Sequence, residues 1–294
     1  MMIEKIKGRQ AKGDVGKPPG DILGNRVETI RDPIGATRAL PNYRGSVSLT
    51  PKKAGPLQPE KYGVAEEICA PKAIIIQADG KKPAQVALDM GKCILCGRCQ
   101  EVAQDLFKVE GRFAPAAENR QDLIESIGKI APAADRSYEK MGKELKEKIN
   151  KIFGRSLAVR EVDAGSCNGC EVEITALNNP IYDIERFGIH FVASPRHADV
   201  LLVTGPASRN MEVALKRTYE ATPDPKMVVA VGACACSGGI FGDTYATTGG
   251  IDNMVPVDVY MPGCPPRPEA ILYGLLLAVD RIRPEIKGQG PDKV

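Results

Sequence analysis

The chain has 294 residues, 43% hydrophobic and 26% charged, with a net charge of +3, which is ordinary for a globular protein and long enough for two domains. That charge is too small, and its Lys and Arg too scattered, for a nucleic-acid surface, and 5% aromatic residues with no tryptophan argue against base-stacking platforms. No window reaches the roughly 18–20 consecutive apolar residues of a membrane span, and Met1–Arg9 lacks the apolar core of a signal peptide, so a cytoplasmic location is expected.

Residues 1–45 are rich in Gly, Pro and charge ("GDVGKPPGDILGNR") without a sustained period, and read as an extended arm, laid on a partner or disordered. Residues 46–116 carry short β-prone runs, "SVSLT" and "AIIIQ", around a cysteine motif, as a small ferredoxin-like α+β domain does. Nine cysteines in a cytosolic chain point to metal ligation rather than disulfides, because that compartment keeps thiols reduced.

The motif is "GKCILCGRCQEVAQ", with Cys93, Cys96 and Cys99 at CxxCxxC spacing. In a two-cluster ferredoxin a fourth cysteine follows and ligates the other cluster, but here that position is Ala103. By the same crossover the missing ligand for this run lies upstream, and "EEICAPKAI" supplies Cys69, followed by Ala70-Pro71 rather than by proline directly. The remaining ligand positions of the second cluster fall on Pro59, Tyr62 and Ala65. One complete site is therefore erased and the other complete, which random decay would rarely produce, so one [4Fe–4S] cluster is expected here. CxxC is also a zinc spacing, which leaves a structural zinc site as the alternative.

Residues 117–153 read as a helical linker, with a helical pattern between Asn119 and Phe153. Met141, Leu145, Ile149 and Ile152 recur at helical spacing opposite Lys140, Lys143, Glu147 and Lys148, the mark of an amphipathic helix. Over residues 154–284, "SLAVREVD", "IHFVAS", "DVLLVTG", "KMVVAVG" and "VDVYMPG" alternate with helical stretches, and 285–294 form a tail. Such near-continuous apolar strands predict an α/β fold with a doubly wound parallel sheet of flavodoxin-like type.

Four more cysteines follow strand ends in this half: Cys167 and Cys170 in "GSCNGCE", Cys234 in "GACACSGG" and Cys264 in "PGCPPRPE". Loops at the carboxyl ends of such a sheet converge on one crevice, so these thiols are placed to meet. Flanking glycines (Gly165, Gly169, Gly232, Gly238, Gly239, Gly263) permit close backbone approach. The same crevice leaves little room for a flavin on the "TGPASRN" loop. His190 and His197 have no ligand-spaced partner and read as structural.

"SCNGCE", "GACACSGG" and "PGCPPRPE" resemble the small, electron-transfer subunit of membrane-bound, complex I-related [NiFe] hydrogenases of the formate hydrogenlyase type, over about Phe153–Ile282. The front half resembles the ferredoxin-like subunit of the same complexes, with one cluster motif lost. The resemblance implies that Cys167, Cys170, Cys234 and Cys264 hold a [4Fe–4S] cluster proximal to the nickel–iron site of a separate large subunit. With Cys69, Cys93, Cys96 and Cys99 that makes two clusters and leaves Cys236 over, too few thiols for a nickel–iron site on this chain. It further implies an upstream iron–sulfur or ferredoxin donor, complex I-like membrane subunits as partners, and a peripheral position on the cytoplasmic face of the membrane. Glu171 beside Cys170 is a candidate for proton movement toward the large subunit, although it and Glu173 also suit a helix start for dipole reasons alone. In the related complex I subunit the first two cysteines are adjacent, whereas here Asn168-Gly169 separates them; a complex I-like small subunit without nickel is the alternative reading.

Overall fold

The computed structural model describes residues 44–50, 59–77, 85–114, 116–126 and 138–288. The expected arm and tail lie outside these residues, apart from Arg44, Gly45 and residues 285–288.

In the front half, β1 (Ser46–Leu49) pairs antiparallel with β4 (Phe107–Glu110). A second antiparallel sheet joins β2 (Ile74–Gln77), β3 (Gln85–Asp89) and β5 (Ile124–Ser126) in that order. Two helices, α1 (Pro59–Glu67) and α2 (Arg98–Val102), complete the unit. Val47, Leu49, Tyr62, Ala65, Leu88, Leu106 and Phe107 pack into one core with Cys93 and Cys99. In β3 the pleat turns Val86 and Leu88 inward, as period-2 alternation requires.

The expected helix begins later than Asn119. Ala117 exchanges backbone hydrogen bonds with Tyr260, a 3-10 turn covers Arg120–Leu123, and β5 pairs with β3 before α3 (Tyr138–Phe153) starts. The partners of this stretch are remote in sequence, so helical periodicity could not reveal them. Within α3 the apolar stripe is as expected, with Tyr138, Met141, Leu145 and Ile149 fully buried.

The back half is a five-stranded parallel sheet of β6 (Leu157–Asp163), β7 (Ile189–Phe191), β8 (Val200–Thr204), β9 (Met227–Val231) and β10 (Val259–Met261). Its spatial order is β7-β6-β8-β9-β10, the flavodoxin order, so the expected fold class holds. Both faces are covered. Leu157, Val159, Leu202, Val229 and Met261 point to one core with α3 and α7 (Pro268–Gly288), while Val162, Leu201, Val203 and Ala230 point to another with α5 (Glu212–Ala221) and α6 (Gly232–Ser237). Strands buried on both sides explain why their sequences run apolar without alternation. Helix α4 (Gly169–Ala176) opens at the carboxyl end of β6.

Candidate iron–sulfur centres

In the front half the chain turns sharply after β3. The Cys93 amide donates to the Asp89 carbonyl oxygen at 3.1 Å, and left-handed backbone at Leu95 (φ 56°) and Gly97 (φ 77°) coils the loop into α2. Cys93, Cys96 and Cys99 thereby line one cavity with Cys69, which follows α1, among Val47, Ile74 and Leu88. Two backbone amides reach sulfur: Ala73 N–H donates to Cys69 Sγ at 3.3 Å and Leu95 N–H to Cys93 Sγ at 3.4 Å.

Burial pushes the Cys93 thiol up to about 12, against the Leu95 amide, and the neighbouring thiols of Cys99, Cys69 and Cys96 add to it. Burial likewise raises Cys99 to about 11. Four thiols around one apolar cavity suit bound iron, which takes thiolates and releases their protons on binding. An apolar cavity, four thiols and N–H donors aimed at sulfur fit an iron–sulfur cubane.

The back set is assembled from three strand ends. After β6, Asp163 Oδ1 accepts from the amides of Gly165 and Ser166 at 2.8 and 2.7 Å, and Ser166 Oγ accepts from Asn168 N–H at 3.1 Å. These turns carry Cys167 outward and start α4 at Asn168 (φ 67°), placing Cys170 in its first turn. Cys234 lies in α6 beyond β9 and Cys264 beyond β10, and the two loops are joined by Ala233 N–H donating to the Gly263 carbonyl at 2.7 Å. A Cβ on Gly232 (φ 91°) would meet Cys170 Sγ at 2.6 Å, so glycine is required where this sulfur approaches the backbone.

Burial raises Cys170, and Glu171, Cys234, Cys264 and Cys167 add to the shift; Cys234 is pushed up to about 11 by burial and then by Cys264 and Cys167. Cys167 and Cys264 are exposed, so this thiol set reaches the surface. Val172 in α4, and Ile240, Phe241 and Tyr245 after α6, are exposed apolar residues, and Tyr245 is 94% accessible.

Among the described residues no group of three or more His, Cys, Asp and Glu is placed to grip a single metal ion. A cubane takes one thiolate at each of four irons, so its ligands need not close on one point.

Cys236 is fully buried against the sheet, its thiol donating to the Ala230 carbonyl at 3.7 Å, and burial raises it to about 12. Both Glu171 carboxylate oxygens are buried without a hydrogen-bond partner in a cleft shared with Glu161 and Asn178. Burial and then Glu171 push Glu161 upward. Burial also raises Glu173, against Arg267. His190 and His197 line a separate open cleft with Arg155, Arg196 and Asp199. The "TGPASRN" loop packs on the cysteine turn, since a Cβ on Gly205 would meet Ser166 N at 2.7 Å. Asp163 and α6 were missed by sequence reasoning; an Asp two residues before a glycine at a strand end was the available signal for the first.

A flavodoxin-order sheet whose strand-end loops gather thiols, joined to a small thiol-lined unit, defines the iron–sulfur class of redox protein, a subunit of an oxidoreductase assembly. Residues 167–278 match the family described as NADH ubiquinone oxidoreductase, 20 Kd subunit. The probable membrane-bound hydrogenase subunit mbhJ of Pyrococcus furiosus is 52% identical over 48% of this chain and 84% of its own length. Formate hydrogenlyase subunit 7 of Escherichia coli is 49% identical over 51% of this chain, which spans 59% of that protein. An NADH-quinone oxidoreductase subunit of Citrifermentans bemidjiense is 54% identical over 40% of this chain and 68% of its own length. The chain belongs to this 20 Kd subunit family. Members of the family bind a [4Fe–4S] cluster. Among the described residues no helix is long and apolar enough to cross a membrane.

Proposed function

We propose that this chain is a two-cluster electron relay in a membrane-associated hydrogenase complex, with a front domain over 46–116, a linker over 117–153 and a hydrogenase-type domain over 154–284. The observation that carries the reading is the convergence of the three strand-end loops that bear Cys167 and Cys170, Cys234, and Cys264, joined by the Ala233–Gly263 hydrogen bond and by the approach of Cys170 Sγ to Gly232. These four residues would hold one [4Fe–4S] cluster, and Cys69, Cys93, Cys96 and Cys99 the other. When bound, each supplies one-electron chemistry at a potential set by burial and by N–H donors to sulfur.

The exposed apolar residues of α4 and of the chain after α6 suit burial against a large subunit carrying a nickel–iron site. The front thiols, which the same domain holds beside Arg44, Lys72 and Arg98, would face an iron–sulfur or ferredoxin donor. Glu171 sits beside Cys170 as a candidate proton carrier toward the large subunit. The complex, anchored by complex I-like membrane subunits, would hold this chain peripherally on the cytoplasmic face. A second reading, a nickel-free complex I-like subunit, draws on the NADH-quinone oxidoreductase relative; the two residues between Cys167 and Cys170 favour the hydrogenase reading.

Anaerobic purification of the complex tests this. About eight irons per copy of this chain, as two cubanes, with nickel in the co-purifying large subunit and hydrogen evolution from a reduced donor, are expected. Quinone reduction without nickel would favour the second reading, and zinc in place of iron would overturn both.

A further inference from the structure

The turn that presents Cys93 and the helix that presents Cys234 are bound directly to each other. Arg120 lies between them. Its Nη2 donates to Asp89 Oδ2 at 2.7 Å and its Nε to the Cys236 carbonyl oxygen at 2.9 Å. Beside it Ser237 Oγ donates to the Gly91 carbonyl oxygen at 2.8 Å, with the Ala233 carbonyl of its own helix as a competing acceptor at 3.1 Å.

Asp89 is not an arbitrary anchor. Its carbonyl accepts the amides of Lys92 and Cys93, so its position fixes the turn leading into the front thiol set. Cys236 and Ser237 follow Cys234 in α6, two and three residues on. Gly91 is needed at the junction, because a Cβ there would lie 2.7 Å from the Arg120 guanidinium carbon. The Arg120–Asp89 pair is nearly dry, with side chains 18% and 5% exposed, which makes its geometry insensitive to salt.

The segment carrying Arg120 is itself hydrogen-bonded to both halves. Ala117 and Tyr260 exchange backbone hydrogen bonds at 2.9 and 2.7 Å on the back sheet, while Ile124–Ser126 pair with β3 and Leu123 accepts from Met90 N–H at 2.9 Å on the front. Leu123 meanwhile packs in the core formed with α5 and α6.

We propose that Arg120 is a positioning residue for electron transfer: it clamps the Cys93 turn to the Cys234 helix and so sets the separation and orientation of the two cluster sites. This rests on the two-cluster reading above. One electron leaves the front cluster and one enters the back cluster, with no bond made or broken, so the protein's lever on the rate is the gap, across which electronic coupling falls steeply. A short route runs from Cys93 through Lys92 and Gly91, across the hydrogen bond to Ser237, and along α6 to Cys234.

The test compares the full chain in its complex with Arg120→Met, Arg120→Lys and Ser237→Ala. Iron per chain comes first: fewer than two cubanes in the unaltered protein refutes the two-cluster reading, and the proposal with it. With both clusters retained, magnetic interaction between the two reduced clusters should be visible by electron paramagnetic resonance in the unaltered chain. It should be changed or lost in Arg120→Met, and reduction of the back cluster by a donor that reaches only the front one should slow at least tenfold. Amide hydrogen exchange at residues 90–93 and 235–239 should quicken together, a readout that needs no electron transfer. Arg120→Lys keeps the charge and one contact and should fall between, which preserves the test where Arg120→Met does not fold; Ser237→Ala should weaken the coupling with the guanidinium in place. Faster exchange with unchanged magnetic interaction and unchanged transfer rate would overturn the proposal, as would no change in any readout.

Discussion

Tyr62 occupies one of the four positions where a two-cluster ferredoxin would carry a ligand to its second cluster, and its hydroxyl donates to Asp105 Oδ2 at 2.8 Å. The ring is fully buried beside Ala65, Ala103, Leu106 and Phe107. Apolar packing and one hydrogen bond fill this space. Tyr62→Phe should lose about 1.5–3 kcal/mol of stability, the value of a hydrogen bond to a charged acceptor. Tyr62→Cys should cost ~3 kcal/mol or more through the cavity it leaves. Neither should add iron; extra iron in Tyr62→Cys would contradict the filled-core account.

Cys69 is separated in sequence from the run at Cys93–Cys99 but lines the same cavity. Cys69→Ala should degrade the front cluster and roughly halve the iron content while leaving the back cluster's spectrum intact. Full iron content would mean that the fourth ligand lies elsewhere.

Substitutions at the two sites should separate by their effect on electron flow. Cys264→Ala is expected to reduce hydrogen evolution from the assembled complex sharply even where the large subunit keeps its nickel. Cys96→Ala should block reduction by the natural donor yet spare exchange with a small dye that reaches the catalytic subunit directly. Equal, undiminished activity of both variants with the natural donor would make both clusters structural.

Glu125 in β5 gives the front sheet a pH dependence. Burial holds its carboxyl up at about 7, against an accepted hydrogen bond from the Leu49 amide. The folded state therefore keeps a proton that the unfolded chain releases near pH 4.5, so stability falls as pH rises from about 4.5 to about 7. The shift alone corresponds to ~3 kcal/mol, which partial exposure of the group reduces to about 1 kcal/mol. Denaturant unfolding at pH 5 and pH 8 should show this loss, and Glu125→Gln should remove that increment. An unchanged difference in Glu125→Gln would assign the effect to another group.

The sequence by itself determined the parts whose signal is local. Five β-prone runs alternating with helices read as a flavodoxin-like sheet because strands buried on both faces are apolar throughout, and the stripe Met141, Leu145, Ile149 read as a helix because it packs on one face. The CxxCxxC run and the thiols at strand ends were legible for the same reason: spacing and position along the chain state where a side chain starts.

Tertiary structure alone decided what joins those parts. Residues 119–126 look helical in isolation, yet Ile124–Ser126 complete the front sheet and Ala117 just before them bridges to Tyr260, because backbone groups there find partners far along the chain. The hydrogen bond of Tyr62 to Asp105, the approach of Cys170 Sγ to Gly232, and the contact of Arg120 with both Asp89 and Cys236 are long-range as well. No periodicity encodes such meetings; they exist only once segments distant in sequence are packed against each other.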